Sequence, residues 1–147
     1  MNIRTASLAA LMVAGAFSAA TPAFAEVINL TAQLTGAAEV PATDSAGKGT
    51  LEGTFDTETM ALKWNVTYEG LTGDATAAHF HGPADDKSNA GPVVPIEGAL
   101  TSPIAGEATL NAEQAQQLQD GMWYFNIHTA AHPDGEIRGQ VTKAAAM

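Results

Sequence analysis

The sequence predicts an all-β sandwich of seven or eight short strands with one short helix. Three observations carry that expectation. Apolar and polar residues alternate with period two over several stretches. Glycine and proline, 14 and 7 in a chain of 147 residues, punctuate nearly every junction between them. A single segment has helical spacing together with start and stop signals.

Val27 to Leu34 sets Ile28, Leu30, Ala32 and Leu34 on one face and ends at Gly36. Gly49 to Phe55 turns Leu51, Gly53 and Phe55 inward. Ala61 to Tyr68 alternates Leu62, Trp64, Val66 and Tyr68 against Lys63, Asn65 and Thr67. Such half-buried patterns, rich in β-branched and aromatic residues, favour strands. Asp56-Thr57-Glu58-Thr59 is a tight polar connection of the hairpin kind. Further strands are expected at Thr76–His81, Val93–Leu100, Glu107–Leu110, Trp123–Thr129 and Glu136–Thr142. Asn111 to Gly121 reads as a helix of two to three turns. Asn111 can cap its free amides, Gln114 completes a capping box, and Gly121 suits the left-handed C-terminal position. Gly82 to Gly91 is the longest loop candidate, polar and expected to be mobile.

Met1 to Ala25 has the layout of a secretory signal. Arg4 precedes an apolar run, Pro22 breaks it, and Ala23-Phe24-Ala25 offers small residues for cleavage. Leu8 to Ala20 is shorter than the roughly 20 residues a bilayer-spanning helix needs. Residues 26–147 then form one domain, exported to the periplasm or secreted, with no membrane association after cleavage. Without Arg4 it keeps five Lys and Arg against 16 Asp and Glu. An excess of negative charge repels phosphates, so nucleic acid is not an expected partner. The chain has no cysteine, which excludes disulfides, thiolate metal sites, iron–sulfur clusters and Cys nucleophiles together. An exported domain of this size must therefore rely on its core.

All four histidines fall in two short stretches, Ala78-His79-Phe80-His81-Gly82-Pro83 and Asn126-Ile127-His128-Thr129-Ala130-Ala131-His132-Pro133. On a strand, His79 and His81 point to one side and Phe80 to the other. Asn126 and His128 likewise share a face, and the following turn could return His132 over the strand end. If the two strands are neighbours, His79, His81, His128 and His132 converge. Neutral imidazole is a good ligand for copper, zinc, iron and nickel. An all-nitrogen site favours copper(II) on intrinsic affinity, with zinc as runner-up. Asp134 and Glu136 are candidate outer partners, ahead of the turn residues Asp85 and Asp86. Arg138, the one arginine left after cleavage, is expected to pair with Glu136 or Asp134, or to steer an anion. There is no nucleophile elbow and no Gly-rich phosphate loop.

Three motifs occur in order along the chain. The first is Leu34-Thr35-Gly36-Ala37-Ala38-Glu39-Val40-Pro41 with Ser45-Ala46-Gly47-Lys48-Gly49. The second is Gly70-Leu71 leading to Ala78-His79-Phe80-His81-Gly82-Pro83-Ala84. The third runs from Asn126-Ile127-His128-Thr129 through His132-Pro133-Asp134-Gly135-Glu136-Ile137-Arg138-Gly139-Gln140-Val141. In these the chain resembles the CHRD family, a domain first described in chordin and common in bacterial exported proteins. It departs from the pattern at Pro41, where many members have a proline pair. The resemblance implies an immunoglobulin-like, Greek-key form of the sandwich.

The leading expectation is an exported protein that holds, buffers or delivers copper rather than catalysing a reaction. The sequence offers ligands without an evident acid, base or nucleophile beside them. One alternative is a metal-free interaction module of the chordin type, with a protein partner or a second copy. A more remote one is a redox copper site like that of copper–zinc superoxide dismutases, an analogy at the level of fold only.

Overall fold

The computed structural model describes residues 25–145, so the expected leader, Met1 to Ala25, lies outside the described residues except for Ala25. The fold is all-β with one helix, as expected. Its strands are β1 (Val27–Thr35), β2 (Lys48–Asp56), β3 (Ala61–Glu69), β4 (Ala75–His81), β5 (Pro92–Pro95), β6 (Ile104–Thr109), β7 (Tyr124–Thr129), β8 (Ile137–Gln140) and β9 (Thr142–Lys143). Helix α1 spans Ala112–Gln119. No helix among the described residues is long and apolar enough to cross a membrane.

The hydrogen-bonded order is β5-β4-β7-β8-β1-β2-β3-β6, and β9 pairs with β1. Two halves are thereby joined into one nearly continuous ladder. β1, β2 and β3 form an unbroken antiparallel meander, from Val27↔Asp56 to Thr35↔Lys48 and from Lys48↔Glu69 to Asp56↔Ala61. β4, β7 and β8 form the other half. β8 meets β1 at the single pair Thr35↔Arg138, and β9 adds Leu30↔Lys143 and Thr31↔Thr142. Across the core Trp64 of β3 packs edge-on to Phe80 of β4, with centroids 5.2 Å apart, and Phe80 packs on Phe125 of β7 at 4.9 Å. Of the residues read as inward in the sequence, Ile28, Leu30, Ala32, Leu34, Leu51, Phe55, Leu62, Trp64 and Val66 are buried, while Gly53 and Tyr68 are half-buried. Gly106 is obligatory here, because a β-carbon would sit 2.5 Å from the Trp64 ring.

Differences from the expected elements have local causes. β5 stops at Pro95, with one last bond from Ile96 N to Ala78 O before Gly98 turns the chain at φ +88°, whereas the sequence reading ran on to Leu100. The last expected strand divides at Val141. Its N–H still bonds Trp123 O, but Thr142 already pairs with Thr31 of β1. The count therefore rises to nine. The hairpin turn after Asp56 forms as read, with Asp56 Oδ1 accepting from the amides of Glu58 and Thr59. Helix α1 has the full capping box, Asn111 Oδ1 accepting from Gln114 N and Gln114 Oε1 from Asn111 N. Gly121 follows at φ +72°. Ala115 and Leu118 bury the helix's inner face.

Candidate metal centre

Period two does the first step of assembly. In β4, Phe80 enters the core, so His79 and His81 lie on the opposite, outer face. In β7, Phe125 and Ile127 enter the core, which leaves Tyr124, Asn126 and His128 on that same outer face. Register does the second. His79 stands opposite Asn126, His81 opposite Tyr124, and Ala77 opposite His128. His128 is therefore the diagonal neighbour of His79, within reach of long side chains. One nitrogen from each of His79, His81 and His128 lies within 4.8 Å of the others.

The rings are held by main-chain carbonyls. His81 Nδ1 lies 2.9 Å from Ala90 O, and His128 Nδ1 lies 2.8 Å from Pro133 O. A carbonyl only accepts, so in each neutral ring the proton sits on Nδ1 and Nε2 carries the lone pair. His79 Nδ1 approaches that bare His128 Nε2 at 3.2 Å. The His81 Nε2 is buried and has no partner. This is the arrangement that orients metal-binding imidazoles, one nitrogen donating to an oxygen and the other free. Burial holds the pKa of His79 below the usual histidine value, aided by the neighbouring His128 and His81. Burial likewise lowers that of His81, against the pull of the Ala90 carbonyl. Both rings are thus kept neutral, the form that binds cations.

His132 does not join them. The turn after β7 does fold back, but it delivers Pro133 O to His128 rather than a fourth ring. His132 instead serves the turn with its backbone, exchanging N–H···O bonds with Thr129 and accepting from Gly135 N. The residue also lines a separate hollow of about 500 Å³ with Glu39, Pro41 and Asp134.

The acidic candidates also separate. Glu136 is fully buried and accepts from Ser45 Oγ, Thr72 N, Thr72 Oγ1 and Thr129 Oγ1, not from a histidine. Arg138, read as an ion-pair partner of Glu136 or Asp134, pairs with neither. It lies 1% exposed and donates to Asn89 Oδ1 and to the carbonyls of Asp85 and Ser88. Those bonds fasten the Gly82–Gly91 loop, which was expected to be mobile, over the outer face of β4 and β7.

Four contributors were not legible in the sequence. The carbonyls of Ala90 and Pro133 carry no side-chain signal at all. Tyr124 lies flat against His81, with centroids 4.8 Å apart and planes 1° from parallel, and only its place in the β7 alternation hints at this. Glu39, in the first motif, is buried beside Asn126, and its Oε1 has no partner. Gly135 permits that approach. At φ +128° it has no β-carbon, and one would meet Glu39 Oε1 at 2.5 Å and Asn126 Nδ2 at 2.7 Å. Burial pushes the Glu39 carboxyl up to about 7, partly opposed by the Arg138 charge.

No curated protein and no solved structure matches the chain. A family model does, that of the CHRD domain, over residues 30–141, a span that includes every side chain of this centre. By that match the chain belongs to the CHRD family.

Proposed function

We propose that the domain is exported and binds a transition-metal ion, copper before zinc, through His79, His81 and His128, in order to hold or deliver it. One observation carries this reading. Two imidazoles are held by carbonyls at Nδ1, which leaves their Nε2 atoms free, and one ring nitrogen from each of the three histidines lies within 4.8 Å of the others. Bonds of about 2 Å to a common ion need nitrogens a little over 3 Å apart. The His79–His128 pair stands at 3.2 Å. His79 and His128 are half-buried while His81 is buried, so the ion would keep one side toward water. An open side suits exchange of cargo. The all-nitrogen set favours copper(II) among first-row divalent ions. Export rests on the leader pattern of Met1 to Ala25.

Titration calorimetry with Cu(II) and Zn(II) on residues 26–147 tests the proposal. Tight uptake of one ion is expected, lost in both His81→Ala and His128→Ala. Uptake that survives both substitutions, or no uptake, overturns it.

A second reading has its own observation. His79 Nδ1–H can donate to His128 Nε2, so the cluster can close on itself as a hydrogen-bonded hub of a metal-free interaction module. Melting curves of the protein as isolated separate the two. A metal-bound domain loses stability on adding chelator, and a metal-free hub does not.

A further inference from the structure

The interior behind the histidines contains a buried cation that forms no ion pair among the described residues. Arg138, on β8, stands opposite Asn126 of β7 and shares its outer face. Its guanidinium lies 3.5 Å from the centre of the Tyr124 ring. The same ring is stacked on His81. Tyr124 thus links the arginine to the histidine.

The same guanidinium also acts through the chain. Nη2 donates to Asp85 O and Ser88 O at 2.8 Å each, and Nη1 to Asn89 Oδ1 at 3.0 Å. Asn89 Nδ2 in turn donates to Val40 O. The next residue is Ala90. Its carbonyl accepts from both His81 Nδ1 and Tyr124 Oη, and its amide donates to Tyr124 Oη. The stacked face of the His81 ring and the carbonyl at its Nδ1 are therefore both attached to Arg138. Nothing comparable serves His128, whose Nδ1 is held by Pro133 O from a different turn.

We propose that Arg138 is a positioning residue for the metal centre: through Tyr124 and the Asp85–Ala90 loop it sets the tautomer and tilt of His81, and so presents the His81 Nε2 to the ion. The role rests on the metal-binding reading for its purpose but not for its geometry. A planar, multiply donating fork is what clamping three oxygens and stacking on a ring requires, and lysine supplies neither. Ligand-orienting partners of this kind commonly change metal affinity about 10- to 100-fold when removed.

The experiment is histidine-ring ¹H–¹⁵N spectroscopy on metal-free protein, at a pH where the rings are neutral. Wild-type His81 and His128 should both show a protonated Nδ1 and a bare Nε2. In Arg138→Lys, and in the milder Asn89→Ala, His81 should shift to a mixture of tautomers while His128 keeps its pattern. Arg138→Gln should do the same if it folds. Cu(II) affinity, measured in parallel, should fall at least tenfold in Arg138→Lys. An unchanged His81 pattern in Arg138→Lys overturns the proposal. So does a joint change of His81 and His128, which marks general loosening. If wild-type protein takes up no metal, the function proposed above fails, while the ring spectra still decide whether Arg138 positions His81.

Discussion

Two glutamates are buried in this domain, and their surroundings are opposites. Glu136 has four donors on its carboxylate, from Ser45, Thr72 and Thr129, in addition to backbone bonds at its own N–H and C=O. Burial by itself would raise its pKa, but these bonds outweigh it and hold the carboxyl at about 2. Glu39 has an unpartnered Oε1 and is pushed up to about 7. Of five buried side-chain atoms without a partner among the described residues, three belong to Glu39, Asn126 and His81. Unmet hydrogen-bonding capacity is thus gathered on one face, beside the histidines. The Glu136 region is a fastener, in which both carboxylate oxygens are matched and the Ser45 and Thr72 loops are tied to the end of β7. The Glu39–Asn126–His81 region is unfinished in the same sense, and an unfinished polar site is stable only when the rest of the fold enforces it.

The largest expected effect lies at the fastener. Glu136→Leu removes an acceptor from four donors at once, and the donors stay buried. A loss on the order of 3–5 kcal/mol is expected, read by urea unfolding at pH 7. The sign of its pH dependence follows from the lowered pKa. The folded carboxylate is favoured above its unfolded value of 4.5, so the stabilisation is fully present above about pH 4.5 and disappears as pH falls toward about 2. The gap between wild type and Glu136→Gln should close in that window. A gap that persists unchanged at pH 2.5 would show that Glu136 acts by shape rather than by charge.

Glu39 should behave in the opposite way, and more weakly. Its folded pKa is raised, so the native state holds the proton more firmly than the unfolded chain does. Stability should then fall as pH rises from about 4.5 through about 7, where the carboxyl is forced to ionise in place. Glu39→Gln removes that liability. In metal-free protein it should be more stable than wild type at pH 8, by on the order of 2 kcal/mol, and nearly equal to it at pH 5. Equal stability at both values would mean that Glu39 finds partners after all, and the contrast with Glu136 would weaken.

The sequence showed half of this contrast. Alternation in Ala61–Tyr68 was enough to place part of the core, and in Thr76–His81 and Trp123–Thr129 it set His79, His81 and His128 on the faces opposite Phe80, Phe125 and Ile127, because period two is a local property of the chain. The capping box of α1 was legible for the same reason. What was hidden is what depends on long-range closure. The four donors of Glu136 come from residues 45, 72 and 129. Arg138 reads as an ion-pairing residue by its charge and the acidic residues next to it, yet its partners lie about 50 positions away and two of them are carbonyls. Backbone acceptors leave no trace in composition or spacing. His132 shows the same limit. The spacing from His128 was right for a turn that returns, and nothing in it told which atom the turn would bring back.

That residue supplies the smallest effect and the sharpest boundary of the site. His132 contributes an N–H and a C=O to the turn, and both survive truncation of its ring. His132 lines the hollow with Glu39 and Asp134 and is not one of the cluster of His79, His81 and His128. His132→Ala should therefore change stability by no more than about 0.5 kcal/mol, as at a surface site. Its Cu(II) affinity should stay within twofold of wild type, whereas His128→Ala abolishes uptake. The comparison is informative because the two histidines are four residues apart in one turn, so a general disturbance of that turn would affect both. An affinity loss in His132→Ala as large as in His128→Ala would bring its ring into the ligand set, and the turn would have to rearrange around the ion. Retention of affinity confines the site to the diagonal pair His79 and His128 and the Arg138-backed His81, three rings supplied by only two neighbouring strands.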